Sequence, residues 1–312
     1  MIYEHPLAYV LGLHGVALLR AYTGEHDREF VEARIAEIRR LLDDESLKAA
    51  GVAVSRVDTV DGYRVWSSSY DEPRNAMFDF EEPTVREILD TLPTGTVLDA
   101  ACGTGRYAEY AVELGHRVLG VDSSPDMLEH ARRRVSAAEF RLGDLHRLPL
   151  ADGEADIVVC ALALTHVRDL TPVLAEFARV LRPGGHLVLS DVHHDSVFFG
   201  SIPPVLGPNG EPGRLPAYRH QPGDYLRAAL PHGLQVRRCE EPRLEPSQVS
   251  VDRGDGEPEP WSAVSVEPWH HWPWSLTRLA PEAATAARAG TSATIIWHFQ
   301  LGAGGNSEGS AS

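Results

Sequence analysis

The chain has 312 residues, 43% of them hydrophobic, and its 29 Lys+Arg against 45 Asp+Glu leave a net charge of −16. That is enough apolar material for one large domain, or for one domain with a smaller appendage. The acidic balance repels phosphate backbones and anionic lipid, so it argues against nucleic acid and membrane surfaces as partners; solubility is the simplest reason for the charge.

The three cysteines, Cys102, Cys160 and Cys239, make no C-x-x-C pair and no even disulfide set. A reducing cytoplasm fits such usage. The N-terminus shows no basic region followed by a cleavable apolar stretch, and the most apolar run, "LAYVLGLHGVALL", is too short to span a bilayer and carries His14. It reads as a buried helix.

Residues 1–65 read as a helical N-terminal extension, either a lid or a dimer arm through which a homodimer could form. In "EFVEARIAEIRRLL" the residues Phe30, Ile35, Ile38, Leu41 and Leu42 fall on one helical face. From about residue 84 strands and helices alternate. "TVREILDTL" is helical, "TVLDAAC" is a strand, and "RYAEYAVELG" is a helix with Gly115 as its C-cap. "HRVLGVD" is a strand, and "SSPDMLEHARRR" is a helix with Ser124 as N-cap and Pro125 at its first position. "AEFRLGD" and "ADIVVCALAL" are strands. "TPVLAEFARVL" is a helix with Val173, Leu174, Phe177, Val180 and Leu181 on one stripe, "RPGG" fits a type II turn, and "HLVLSDV" is the next strand. Such alternation predicts an α/β fold, a parallel sheet with helices on both faces.

After residue 195 the regularity fails. Residues 66–301 read as one domain with irregular substrate or lid insertions at 196–223 and 240–275; one helix and one strand return in "GDYLRAALPHGLQVRRCEE", and "TSATIIWHFQL" is a last strand. The Pro/Glu/Asp-rich stretch 241–260 predicts a mobile loop, and 302–312 a disordered tail.

The chemistry concentrates in "LDAACGTGRYAEY". Gly103 and Gly105 stand at a strand-to-helix turn, where backbone and ligand approach closely. The G-x-G-x-x-A spacing also fits the dinucleotide fingerprint. A pyrophosphate wants bare backbone N–H groups at a helix start, and Asp99 at the strand end would oppose it. A carboxylate suits a cationic ligand. S-adenosylmethionine carries an ammonium and a sulfonium and no phosphate; Asp99 suits its ammonium, and loop N–H groups can donate to its carboxylate. Asp122, at the end of the second strand, can accept from ribose hydroxyls of either cofactor. Asp144 in "RLGDLHRLPL" can accept from the adenine amine, with Leu145 packed on the ring.

The stretches "VLDAACGTGRYAEYAVELGHRVLGVDSSPDML", "FRLGDLHRLPLADGEADIVVCALALTHV" and "LAEFARVLRPGGHLVLSDV" resemble the successive motifs of class I S-adenosylmethionine-dependent methyltransferases, nearest the small-molecule, ubiquinone/menaquinone-type branch. The resemblance covers roughly residues 70–195, and "IIWHFQL" resembles that family's last strand. It implies a Rossmann-like seven-stranded sheet, mostly parallel, with the last strand antiparallel. It also implies that Asp99, Ala100, Cys102, Gly103 and Gly105 line the methionine side of the cofactor, that Asp122 and Ser123 meet the ribose, and that Asp144 and Leu145 hold the adenine. Cys160, Ala161 and Leu162 would end the fourth strand beneath the methyl group, and Tyr70 would cap the cofactor. The product would be S-adenosylhomocysteine.

Methyl transfer from a sulfonium is an in-line displacement that depends on positioning, and a hydroxyl acceptor must also lose its proton. Histidine suits that task. Two candidates follow strand ends where ligands bind in open α/β sheets: His166 after the fourth strand and His193, beside His194, after the fifth. "HHD" (residues 193–195) has no second acidic cluster at ligand spacing, so no metal is expected. "PWHHWPWSL" reads more readily as a hydrophobic clamp than as a substrate wall. The expected function is methyl transfer to a small-molecule hydroxyl oxygen. The alternatives are an N- or C-methyltransferase, an NAD-dependent oxidoreductase, or a non-catalytic cofactor-binding protein.

Overall fold

The computed structural model describes residues 2–66, 76–207, 209–249 and 269–303. Tyr70 and the end of the tail, 304–312, lie outside the described residues, as does most of the stretch expected to be a mobile loop. The chain divides into two compact units. One gathers residues 1–58, 198–216 and 243–292; the other holds 59–197, 217–242 and 293–312.

The second unit is built on a seven-stranded sheet. Its strands are β1 (Thr96–Ala100), β2 (Arg117–Asp122), β3 (Glu139–Leu142), β4 (Ala155–Ala161), β5 (Leu181–Val192), β6 (Leu234–Glu240) and β7 (Thr294–Leu301). Their order across the sheet is β6-β7-β5-β4-β1-β2-β3. The pairs β4–β5, β1–β4, β1–β2 and β2–β3 are parallel, whereas β7 runs antiparallel to both β5 and β6. This is the Rossmann-like, mostly parallel sheet that the motifs imply, with one antiparallel strand.

Among its helices are α1 (Thr59–Trp66), α2 (Met77–Asp90), α3 (Arg106–Glu113), α4 (Pro125–Arg134), α5 (Leu170–Val180) and α6 (Pro222–Ala229). Alternate strand residues feed opposite cores. Leu98 and Ala100 join Leu174, Phe177 and Tyr225 of α5 and α6, while Val97 joins Val85, Tyr107 and Leu128 of α2, α3 and α4. All five stripe residues Val173, Leu174, Phe177, Val180 and Leu181 are buried. Ser124 caps α4 by accepting the Met127 N–H at 3.3 Å, with Pro125 at its first position. Gly184 has the φ of 81° that a type II turn needs, yet β5 runs through this turn and absorbs it as an irregular register opposite Ala155 and Ile157.

The first unit departs most from expectation. Residues 1–58 are not all helix: Ile2–Glu4 and Val52–Arg56 pair as strands, and two short strands from the "loop" near 204–214 complete a four-stranded sheet. In the helix Arg28–Asp43 the buried residues are Arg34 and Leu41, while Ile35 and Leu42 are exposed. Of the predicted stripe, Leu41 is in the core and Phe30 and Ile38 are half-buried, so the inward face includes these three and Arg34 but not Ile35 or Leu42. Arg34 turns inward because Glu37 (3.2 Å) and Glu282 (2.5 Å) neutralise it. Helix Pro6–Tyr22 is buried along one side, His14 included. Trp269 and Trp272 sit in the core of this unit, so these rings act as a clamp.

Candidate active site

The site forms along the carboxyl edge of the parallel strands, where β1, β2, β4 and β5 end. Two strand ends share one backbone feature. Ala101, just after β1, has φ 55°, and Leu162, just after β4, has φ 54°. Left-handed conformations cost a non-glycine residue free energy and cluster at ligand sites. Here they turn the chain sharply out of the sheet, with Cys102 N–H donating to Val121 O at 3.0 Å and Leu162 N–H to Ser190 O at 2.8 Å.

The glycine loop follows. Gly103 (φ 53°) faces open space: a Cβ there would meet nothing within 4 Å, which is the room a ligand needs. Gly105 (φ 84°) is required by packing as well, since its Cβ would lie 3.2 Å from the Ala131 Cβ and 3.3 Å from its Cα. Asp122 anchors this loop. Its Oδ2 accepts the Gly103 N–H and its Oδ1 the Ser124 N–H, both at 2.8 Å. Burial raises its pKa, against the backbone donors that lower it. Each of its oxygens keeps a lone pair for a ribose hydroxyl.

Asp99 is 2% exposed, and its Oδ2 is buried with no hydrogen-bond partner. Burial pushes its pKa up to about 7, against the Ala108 backbone donor and the Arg106 charge. A buried carboxylate oxygen beside an open cradle is an invitation to a cationic donor. The residues present therefore fit S-adenosylmethionine: Asp99 for the ammonium, the loop for the carboxylate, Asp122 for the ribose. A pyrophosphate would meet Asp99 unfavourably.

The remaining candidates have distinct placements. The side chains of Ala100 and Cys160 belong to one core and that of Cys102 to the other, so only their backbone is available to a cofactor. Ala161 is half-buried at the end of β4 and Ser123 is exposed. Asp144 is exposed; its Oδ1 accepts the His146 N–H at 2.7 Å. Leu145 packs against the core.

The two candidate histidines differ. His193 is buried, with Nε2 2.8 Å from Glu241 Oε1 and Nδ1 accepting the Asp195 N–H at 3.1 Å, so both ring nitrogens are engaged. It starts the short helix His194–Phe198. His193, His194 and Asp195 do bring ligand atoms within 4.8 Å of one another, but the Asp195 amide already occupies His193 Nδ1. His166 is half-buried, and its Nε2 lies 2.9 Å from the Tyr63 Oη.

Two networks went unread in the sequence. Glu81 of α2, fully buried, accepts from Tyr107 Oη (2.6 Å) and Ser190 Oγ (2.7 Å) and faces Arg106 Nη2 at 2.7 Å. Arg106 also reaches Glu82 at 2.9 Å and stacks on the rings of Phe78 and Tyr107. On the other side Asp191, 1% exposed at the end of β5, accepts from Tyr225 Oη at 2.7 Å, and burial raises its pKa to about 6. An acid at a strand end is the signal that singled out Asp99 and Asp122, and "LSDV" carried it for Asp191 too. Glu81 and Tyr63 gave no local signal.

A glycine loop and acids at the carboxyl ends of parallel strands form the place where open α/β sheets bind ligands. Residues 98–189 match a family model described as a methyltransferase domain. The chain is 37% identical over 132 residues to a malonyl-[acyl-carrier protein] O-methyltransferase of Yersinia pestis, covering 42% of this chain and 49% of that one. It is 33% identical over 147 residues to a demethylmenaquinone methyltransferase of Renibacterium salmoninarum, covering 47% and 54%. The chain thus spans about half the length of these curated relatives. Among solved structures, the PH0226 protein of Pyrococcus horikoshii matches 77% of this chain and 98% of its own, at 19% identity and a TM-score of 0.50, which shows the shared fold. Residues 98–189 are thus similar to a methyltransferase domain, in a chain whose sheet shares its fold with that solved structure.

Proposed function

We propose that the chain transfers the methyl group of S-adenosylmethionine to a hydroxyl oxygen of a small molecule, with His166 receiving the acceptor's proton. The observation that carries the cofactor half of this reading is the partnerless, buried Oδ2 of Asp99 beside the open Gly103 cradle. Bound S-adenosylmethionine supplies a methyl group on a positive sulfur. The residues of the chain hold and orient it: Asp99 faces the ammonium, Asp122 the ribose, and Asp144 with Leu145 the adenine.

His166 supports the oxygen assignment better than His193. It stands at the carboxyl end of β4 on a loop braced from several sides: Tyr218 N–H donates to Thr165 O at 2.8 Å, and His220 Nε2 donates to Val167 O at 2.7 Å. The relatives named above act on different acceptors, so acceptor choice falls to segments outside the matched stretch. The chain leaves the sheet unit after β5 and again after β6, both at this edge, for residues 198–216 and 243–292.

The test combines calorimetry with S-adenosylmethionine, S-adenosylhomocysteine and NAD and a radiolabelled methyl-transfer assay against hydroxyl, amine and thiol acceptors. Binding of the first two, not NAD, and label appearing in a hydroxyl acceptor are expected. NAD binding alone would refute the cofactor. Unchanged turnover after replacing His166 and His193 together would refute a histidine base.

A further inference from the structure

We propose that Tyr63 is a catalytic residue, relaying the proton of the acceptor hydroxyl to His166; this rests on the reading of the site as an oxygen methyltransferase. Helix α1, which carries Tyr63, packs against α4, the helix that follows β2. Tyr63 itself reaches His166, in the loop that follows β4. In the sheet, β1 with its glycine loop lies between β2 and β4. Helix α1 thus reaches from the helix that follows β2 to the loop that follows β4, and the Tyr63 hydroxyl is delivered to the carboxyl edge.

The contact has the form of a proton path. Tyr63 Oη lies 2.9 Å from His166 Nε2, and the rings meet edge-on at 79° with centroids 5.6 Å apart. Both side chains are half-buried, within reach of a ligand and partly shielded from water. The loop that carries His166 does not need Tyr63 to hold its place. It is fixed by His166 N–H to Ala163 O (3.1 Å), by the Tyr218 and His220 bonds, and by the buried Asp191, which accepts the Thr165 N–H while bound to Tyr225. The loop backbone is thus held without Tyr63, whose hydroxyl contacts the imidazole ring.

A phenol carries one proton and two lone pairs, so it can donate to Nε2 and accept from a third group at once. The acceptor O–H gives its proton to Tyr63 Oη as the proton of Oη passes to His166 Nε2. The O–H bonding pair stays on the acceptor oxygen, where the methyl group arrives. Tyr63 ends neutral, and His166 ends as imidazolium, which loses its proton to solvent.

The first test reads the protein itself. Nitrogen NMR of 15N-histidine-labelled protein, bound to S-adenosylhomocysteine at neutral pH, reports which imidazole nitrogen carries the proton. The relay requires His166 Nε2 to be unprotonated, and Y63F to shift that resonance. A proton on Nε2 overturns the proposal, because the ring would then be donating to Tyr63. This reading holds whatever acceptor is found, so a failure of the oxygen assignment is told apart from a failure of the relay. With a hydroxyl acceptor from the assay above, Y63F lowers kcat about 100-fold, in the range of general acid–base losses, and leaves S-adenosylhomocysteine affinity unchanged. H166N does the same, and the double variant is no worse than the poorer single one. An unaltered kcat in Y63F, or losses that multiply, overturns it.

Discussion

The two halves of the carboxyl edge are built differently. Around β1 and β2 the site is made of main chain: Ala101, Gly103 and Gly105 at positive φ, Asp122 holding the Gly103 amide, and one carboxylate oxygen, Asp99 Oδ2, left without a hydrogen bond. Around β4 and β5 it is made of side chains brought together from afar, Tyr63 with His166, Tyr225 with Asp191, and Glu241 with His193. On the proposed function the first half would hold a cofactor whose shape does not vary, and the second would face the acceptor. The Glu81–Arg106 network joins the halves, since Glu81 grips Tyr107 beside the glycine loop and Ser190 on β5.

That junction is where the largest effect is expected. Glu81→Ala takes from Arg106 one of its two buried carboxylates, with Glu82 remaining at 2.9 Å, and strands the Tyr107 and Ser190 hydroxyls. Breaking a buried ion pair costs about 3–5 kcal/mol. Urea unfolding should show a loss of that size, and a loss below about 1 kcal/mol would mean that the two halves are held together elsewhere.

Asp99→Asn tests the cofactor half alone. A hydrogen bond to a charged group is worth about 1.5–3 kcal/mol, so affinity for S-adenosylmethionine should fall by roughly 10- to 150-fold with little change at the β4–β5 half. The pH dependence has a definite sign. The folded carboxyl titrates at about 7, above the ordinary unfolded value near 4. Between those two values the native state holds a proton that the unfolded chain has lost, so the contribution of Asp99 to stability falls as pH rises. Cofactor binding requires the ionised form and so expels that proton. Affinity should rise with pH up to about 7 and level off, and Asn at 99 should flatten the rise. Calorimetry in buffers of different ionisation enthalpy measures the proton released.

The same contrast explains what could be read in advance. Ser124 with Pro125, Gly115 and the stripe of α5 are local signals, and local chemistry places them. The candidate cofactor residues could be named from the sequence because glycines and acids at strand ends act within a few positions of one another. Tyr63 was not, because its partner lies 103 positions away and nothing in "TVDGYRVW" marks it. The helix Arg28–Asp43 misled for a related reason: an arginine faces inward once Glu282, remote in sequence, neutralises it. Short strands near 204–214 escaped because three-residue pairings with Pro and Gly carry no alternation to count.

Gly105→Ala is the next effect in size. The left-handed φ of 84° and the approach to Ala131 at 3.2 Å both oppose a methyl group. A cost of about 1–3 kcal/mol, or a Tm lower by roughly 2–12 °C, is expected, along with weaker cofactor binding. Gly103→Ala is the sharper comparison, because a Cβ there meets no protein atom. It should lose cofactor affinity with a smaller loss of Tm, which separates room made for a ligand from room made for packing.

The smallest effect belongs to Asp144, the one carboxylate of the cofactor half that stays in water. Its side chain is 65% exposed, and one oxygen is already committed to the His146 amide. An exposed acceptor competes with solvent for the adenine amine, so Asp144→Ala should cost about 0.5–1.5 kcal/mol in S-adenosylhomocysteine affinity, roughly 2- to 13-fold. The same variant should leave affinity for a ligand lacking the exocyclic amine unaltered, and competition between adenine and hypoxanthine forms of the cofactor product reads that difference. Equal losses for both forms would mean that Asp144 acts through the turn it makes with His146 and Arg147 and not through the base. The adenine end of the site would then be shaped by side chains around a turn, as the acceptor half is, and the division between a main-chain half and a side-chain half would have to be drawn between Asp122 and Asp144.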